Sequence, residues 1–190
     1  MWSKIKSILI GAFMIALLLA LIALILWRIR SLPFYAIAPM QAENIVFLEG
    51  TSNELDLSAS SADPRTYQLK AGSMADTNSE NILSILEGTS FRPDLRNLLP
   101  HGASAAAFGK NDIASSVTLK FQYEQEGVGC FWVTFHGENV VSLSVDDTNG
   151  FKVYHPSNHA VAKQLAEYIK KTGVEIAYMK KDEIRTLETE

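Results

Sequence analysis

Between Ser7 and Trp27 the chain carries 21 consecutive residues without a charge, most of them Leu, Ile and Ala. A helix rises ~1.5 Å per residue and the hydrocarbon core of a bilayer is about 30 Å thick, so roughly 20 such residues cross it once. Lys4 and Lys6 bound the run on one side, Arg28 and Arg30 on the other, and Trp2 and Trp27 fall where interfacial aromatics belong. The sequence therefore predicts a transmembrane helix spanning about 7–27 within an N-terminal segment 1–30. A cleaved secretory signal fits less well, because its apolar region is usually about 7–15 residues long. The small-x-small triplet Ala36-Ile37-Ala38 lies well past the run and is followed by Pro39, and the single cysteine, Cys130, is far from where a lipoprotein signal needs one. The segment reads as an uncleaved signal-anchor. Its basic flanks tie, two against two, so orientation rests on the short N-terminal flank and the long C-terminal remainder. That asymmetry predicts a single-pass protein of the cell membrane with an extracytoplasmic C-terminal domain. Ala12, Ala16 and Ala20 share one helix face, the small-residue spacing that lets two spans approach closely.

Beyond the span, residues 31–42 hold Pro33 and Pro39 among aromatic and small residues and read as a juxtamembrane linker, with Phe34 and Tyr35 at the headgroup layer. A soluble α+β domain is expected over 43–179 and a charged tail over 180–190. Its first part reads as a hairpin: Ile45–Leu48, a turn at Gly50-Thr51-Ser52-Asn53, then Leu55 and Leu57 alternating with polar neighbours, and a further strand at 66–70. Asn78 or Thr77 can cap a helix whose apolar face is Ile82, Leu83, Ile85 and Leu86 and which ends at Gly88. Pro93 suits the first turn of a second short helix running to Leu99. Residues 101–116 are rich in Ala, Ser and Gly and read as a mobile insert.

The strongest pattern runs from Val117 to Tyr154. Val117, Leu119, Phe121 and Tyr123 alternate with polar residues; Phe131, Val133 and Phe135 repeat the alternation, and Val141, Leu143 and Val145 follow. Phe151 and Val153 make a last short strand, and the short connections predict an antiparallel meander with one buried face. One or two helices should cover it, the clearest being capped by Ser157, striped with Val161, Leu165, Tyr168 and Ile169, and ended by Gly173. Val174, Ile176 and Tyr178 can return as a sheet strand.

Charge excludes some functions. Four of the 17 basic residues flank the span, leaving 13 against all 21 acidic ones, so the soluble part has a net charge of −8. Such a domain lacks the basic footprint that nucleic acid requires. One cysteine rules out an internal disulfide, and Cys130, beside Phe131 and Trp132, reads as a buried, inert thiol.

No catalytic constellation is apparent. Gly102-Ala103-Ser104-Ala105-Ala106 lacks the last glycine of a nucleophile elbow and follows no predicted strand. Cys130 and His136 share a strand face about 20 Å apart at ~3.3 Å per residue, too far for a dyad. His155 and His159, with Asp146 and Asp147 nearby in sequence, are the nearest approach to a metal-ligand set, but Pro156 and Ser157 separate the two histidines from a common helical face. The sequence assigns no catalytic residue, metal or cofactor.

What remains is the polar face of the meander, where Lys120, Gln122, Trp132, Thr134, Ser142, Ser144, Lys152 and Tyr154 should project. Trp132, Thr134, Lys120 and Tyr154 are its candidate interaction surface, since a tryptophan beside a tyrosine on a polar sheet suits a partner. In order and pattern, the early hairpin, the Asn-Ile-Leu-Ser-Ile-Leu helix, the aromatic meander and Tyr-His-Pro-Ser-Asn leading into a final helix resemble small extracytoplasmic domains of Gram-positive bacterial membrane proteins. That resemblance implies a surface location and no catalytic residues. The functional expectation is a membrane-anchored, non-enzymatic interaction or sensory module whose partners are the lipid bilayer and a membrane or cell-surface protein. The alternative is a tethered hydrolase or metal-binding domain using Ser104 or His155 and His159.

Overall fold

The computed structural model describes residues 2–39, 45–55, 64–71, 76–98, 115–124, 128–146 and 151–176. Its first element, α1 (Trp2–Ile29), is one continuous helix. The stretch Leu9–Ile29 is long and apolar enough to cross a membrane, and its residues are exposed except Trp27 and Arg28 near its end, which are half-buried.

Among the described residues, the strands after α1 form one antiparallel sheet, and the helices that follow α1 bury their apolar side chains on one of its faces. In chain order the elements are β1 (Leu32–Pro33), α2 (Phe34–Ile37), β2 (Ile45–Leu55), β3 (Pro64–Ala71), α3 (Thr77–Glu87) and β4 (Ser90–Pro93). A 3-10 turn (Leu95–Leu98) precedes β5 (Ser115–Glu124), β6 (Val128–His136), β7 (Val140–Val145), β8 (Phe151–Pro156), α4 (Val161–Thr172) and β9 (Val174–Ile176). The nine strands lie in the order β1-β4-β8-β7-β6-β5-β2-β3-β9. The expected meander is therefore its centre, the β2–β3 pair and β9 extend it on one side, and β4 and β1 extend it on the other. Both edge strands are very short, which limits the unpaired backbone open to edge-to-edge association. The expected α+β class holds.

Alternation builds the core. Leu48, Tyr67, Leu69, Val117, Leu119, Phe121, Phe131, Val133, Phe135, Val141 and Leu143 point to the helix-covered face and are buried. Phe121 and Phe131 are cross-strand partners whose rings stack at 4.5 Å. α3 contributes Ile82, Leu83 and Leu86, and α4 contributes Val161, Ala162, Leu165 and Ile169. The Tyr168 hydroxyl joins the two helices, donating to Asn78 Oδ1 at 2.7 Å and accepting from Asn81 Nδ2 at 3.1 Å.

Several local expectations are revised. Gly50-Thr51-Ser52-Asn53 is the middle of β2, and not a turn: Gly50 and Ser52 face α4, where small residues admit it. A Cβ on Gly50 would stand 3.0 Å from Ile169 Cδ1. The α3 cap is Asp76, which accepts from the Asn78 N–H at 2.9 Å. Ser157 does not cap α4; its hydroxyl bonds Ser90, and Asn158 accepts from the Ala160 N–H at 3.0 Å. Gly173 ends α4 as expected, and a Cβ there would sit 2.6 Å from the Gln68 carbonyl oxygen of β3. Pro93 closes a strand, and only a 3-10 turn follows it. Of the insert expected at 101–116, Ser115 and Ser116 instead open β5 and the rest, with Ser104, lies outside the described residues, as do the charged tail, Tyr178 and Asp147.

Of the segment expected to be a linker, residues 31–39 are folded into the domain. Phe34 is fully buried, with its ring centroid 5.8 Å from Phe121 and 6.3 Å from Phe91, and Ile37 is buried beside it. The Tyr35 hydroxyl donates to Glu87 at 2.8 Å; burial, then the carboxylate, push its pKa up. Only Arg30 and Ser31 separate α1 from β1, and Arg28 Nη1 donates to the Pro93 carbonyl at 2.9 Å.

Candidate interaction surface

Cross-strand partners share a face, so the register defines the sheet's other side. One row crosses it as Lys70, Glu49, Lys120, Trp132, Ser144 and Phe151. The next reads Gln68, Thr51, Thr118, Thr134, Ser142 and Val153, and the third Thr66, Asn53, Ser116, His136 and Val140. On these rows Thr66, Ser142 and Val153 are buried, while Lys120, Trp132 and Thr134 are half-buried. All the helical core residues belong to the opposite face.

Three of the four candidate residues meet there. Lys120 and Trp132 are direct partners, with the ammonium 5.9 Å from the indole centroid, and Thr134 follows on the same side of β6. Lys120, Trp132 and Thr134 are each half-buried. A cation over an indole face is attracted by the ring quadrupole, which favours this pairing of the two side chains. Glu49, missed in the sequence, stands between Lys70 and Lys120 and accepts a hydrogen bond from Gln68 Nε2.

The hydroxyl rows are cross-linked. Thr118 and Thr134 hydroxyls lie 3.2 Å apart, the Thr66 hydroxyl donates to Asn53 Oδ1 at 2.8 Å, Asn53 Nδ2 donates to Ser116 Oγ at 3.3 Å, and His136 Nε2 lies 2.8 Å from Ser142 Oγ. This network fixes rotamers on a face that would otherwise be plastic.

Tyr154 belongs elsewhere. It is opposite Val141 on the helix-covered face, 6% exposed, and burial pushes its pKa up. The alternation of β8 is thus the reverse of the sequence reading: Phe151 and Val153 lie on the polar side and Lys152 opposite Leu143. Cys130 is also revised. It is half-buried opposite Gln122, and burial followed by the Asp146 carboxylate raises its pKa, which disfavours the thiolate.

The histidine region does other work. His155 Nε2 is 2.7 Å from Asp94 Oδ2 and its Nδ1 is 2.9 Å from the Asn139 carbonyl oxygen, so both ring nitrogens have partners. His159 is exposed in the turn before α4, and Asp146 accepts from the Cys130 N–H at 2.9 Å. Among the described residues no group of three or more His, Cys, Asp or Glu side chains is placed to hold a metal. A cleft of about 200 Å³ lies where α4 crosses the end of β2, β5 and β6, lined in part by Ser52, Asn53, Glu138 and Lys163. It is smaller than the ~300–1,000 Å³ usual for small-molecule sites.

No protein-family model, curated protein or solved structure matches the chain.

Proposed function

We propose that α1 is a single-pass membrane anchor and that the domain is an extracytoplasmic, non-enzymatic interaction module, taking a membrane or cell-surface protein on the polar face of its sheet. The observation that carries this reading is the Lys120–Trp132–Thr134 cluster, a half-buried tryptophan with a lysine ammonium 5.9 Å from its ring, on the sheet face opposite the helical core. Tryptophan is enriched among residues that dominate binding energy, because a large rigid ring desolvates at little entropic cost. The rows of Thr, Ser and Asn around it supply adaptable hydrogen-bonding groups.

The test is site-specific photo-crosslinking from Thr134 in the full-length chain in its own membrane, with and without Trp132→Ala. One discrete protein adduct is expected, reduced at least tenfold by the substitution, since truncating an anchor residue costs about 2 kcal/mol or more. An adduct indifferent to Trp132→Ala would remove this face from the interaction. Orientation is checked by a one-sided reporter fused to Glu190: activity in the cytoplasm would overturn the extracytoplasmic placement.

A further inference from the structure

The 3-10 turn after β4 presents two leucines to solvent. Leu95 is 50% exposed and Leu98 58%. In a 3-10 helix residues three apart eclipse one another, so both side chains leave the turn on the same side.

The turn is held firmly. Asp94 accepts from the Arg96 backbone N–H and from its Nε, both at 2.8 Å, from Arg96 Nη2 at 3.1 Å, and lies 2.7 Å from His155 Nε2. Asn97 clamps β8 in both directions: its Nδ2 donates to the Val153 carbonyl at 2.7 Å, and its Oδ1 accepts from the Val153 N–H at 2.6 Å. The polar residues of the turn are thus turned into the protein, and the leucines are what it displays.

Register decides where this display lies. Leu32 pairs with Phe91 and Pro33 with Ser90, antiparallel, so β4 runs back toward the end of α1. The turn begins one residue after Pro93, whose carbonyl is bonded by Arg28 in the last turn of α1. Leu95 and Leu98 therefore sit beside the level of Trp27, Arg28 and Arg30, where an apolar span meets water. Arg30 and the exposed Arg92 of β4 add basic side chains at that level, suited to anionic headgroups.

We propose that the Leu95–Leu98 turn is a second membrane contact, dipping into the headgroup–acyl boundary next to α1 and fixing how the domain stands on the bilayer. This rests on the reading of α1 as a membrane span. The occupant is lipid, because the apolar pair is continuous with the end of an apolar helix and flanked by the same basic residues.

Three spin-labelled full-length chains, each with Cys130→Ser, would be reconstituted in phosphatidylcholine–phosphatidylglycerol vesicles: Leu98→Cys, Ile22→Cys within α1, and Glu138→Cys in the exposed β6–β7 turn. Glu138 lies at the strand ends opposite to the turn, because β4, β8, β7 and β6 are successively antiparallel. Relaxation by oxygen, which concentrates in lipid, is compared with relaxation by a water-soluble nickel chelate. The labels at 98 and 22 should respond to oxygen and be protected from nickel, while the label at 138 should show the reverse. A label at 98 that is open to nickel while 22 is protected overturns the membrane contact and leaves the anchor standing. Nickel access at both 98 and 22 overturns the anchor and the contact together. Protection of 98 from both agents marks a protein occupant and also overturns the proposal.

Discussion

Replacing Phe34 with alanine separates a domain that begins at β1 from one hung on a tether. In a flexible linker the ring would contact little, and its removal would change stability by a few tenths of a kcal/mol. In the structure Phe34 has no exposed surface and packs against Tyr35, Phe91 and Phe121, with centroids 5.4, 6.3 and 5.8 Å away. Truncating such a ring typically costs about 3–5 kcal/mol, transfer and cavity terms together. A domain of this size loses roughly 2–4 °C of Tm per kcal/mol, so a fall of about 6–20 °C is expected. With a urea slope of ~2 kcal/mol/M, the midpoint should drop by about 2 M. Total stabilities are commonly about 5–15 kcal/mol, so Phe34→Leu, costing ~1 kcal/mol, provides a variant sure to remain folded. The measurement is near-UV circular dichroism of the full-length chain in detergent micelles during thermal and urea unfolding. Tyr35→Phe serves as the neighbouring control, losing one exposed hydrogen bond worth about 0.5–1 kcal/mol. If Phe34→Ala shifted the midpoint by less than about 2 °C, the segment would be a tether and the junction described above would be wrong.

Asn97→Ala should destabilise the domain by about 2–3 kcal/mol in the same unfolding assay, because it removes two bonds and leaves the Val153 N–H without its acceptor. Gly173→Ala should cost at least ~2 kcal/mol and speed amide exchange in β9 and the end of α4, since the added Cβ meets backbone oxygens of Gln68 and Ile169 at 2.6 Å, neither of which can swing away. Acid should act through Asp94, whose hydrogen bonds from the Arg96 side chain hold its pKa well below the usual carboxylate range even though burial opposes them. A depressed carboxyl contributes stability that is present above the unfolded value and lost as pH falls through the folded one. Asp94→Asn should therefore lower stability at pH 7 by about 1–2 kcal/mol and flatten the loss below about pH 4, read from urea midpoints against pH. An unchanged acid limb would refute the assignment.

The centre of the sheet was legible because alternation there is strict and the connections are short. Val117, Leu119 and Phe121, then Phe131, Val133 and Phe135, admit only one burial pattern. The same logic placed Lys120, Trp132 and Thr134 together on the other side. It failed at β8 because Val153 and Tyr154 are both buried, one on each face, so a two-residue period carries no sign there. Gly50-Thr51-Ser52-Asn53 has the composition of a turn, and only the approach of α4, a long-range contact, explains why small residues stand mid-strand. Phe34, between prolines and just past an apolar helix, looks interfacial until Phe91 and Phe121 are folded against it. Glu49 gained its place by pairing with Lys120, a contact between residues far apart in sequence.

The buried Phe34, the Arg28–Pro93 bond and the β1–β4 pairing have a joint consequence for the proposed interaction. A domain on a tether samples many orientations, and a surface patch meets its partner from any of them. Here two residues separate the helix from an edge strand that is part of the sheet, so the direction in which α1 ends is passed to β4 and through antiparallel pairing to β8, β7 and β6. Strand ends near Pro93, Phe151 and Val145 share one end of the sheet with the close of α1, while the β6–β7 turn, where Gly137 adopts φ 63°, lies at the other. On the proposed reading, β1 carries the chain away from the membrane, and the polar face with Trp132 looks across the bilayer surface rather than into it. A partner held in the same membrane meets that face already oriented, and the rigid junction spares much of the rotational entropy that association otherwise costs. Inserting a flexible Gly-Ser segment between Arg30 and Leu32 should therefore weaken the Trp132-dependent adduct while leaving the span in place, whereas an adduct that survived unchanged would show that the junction's rigidity has no part in recognition.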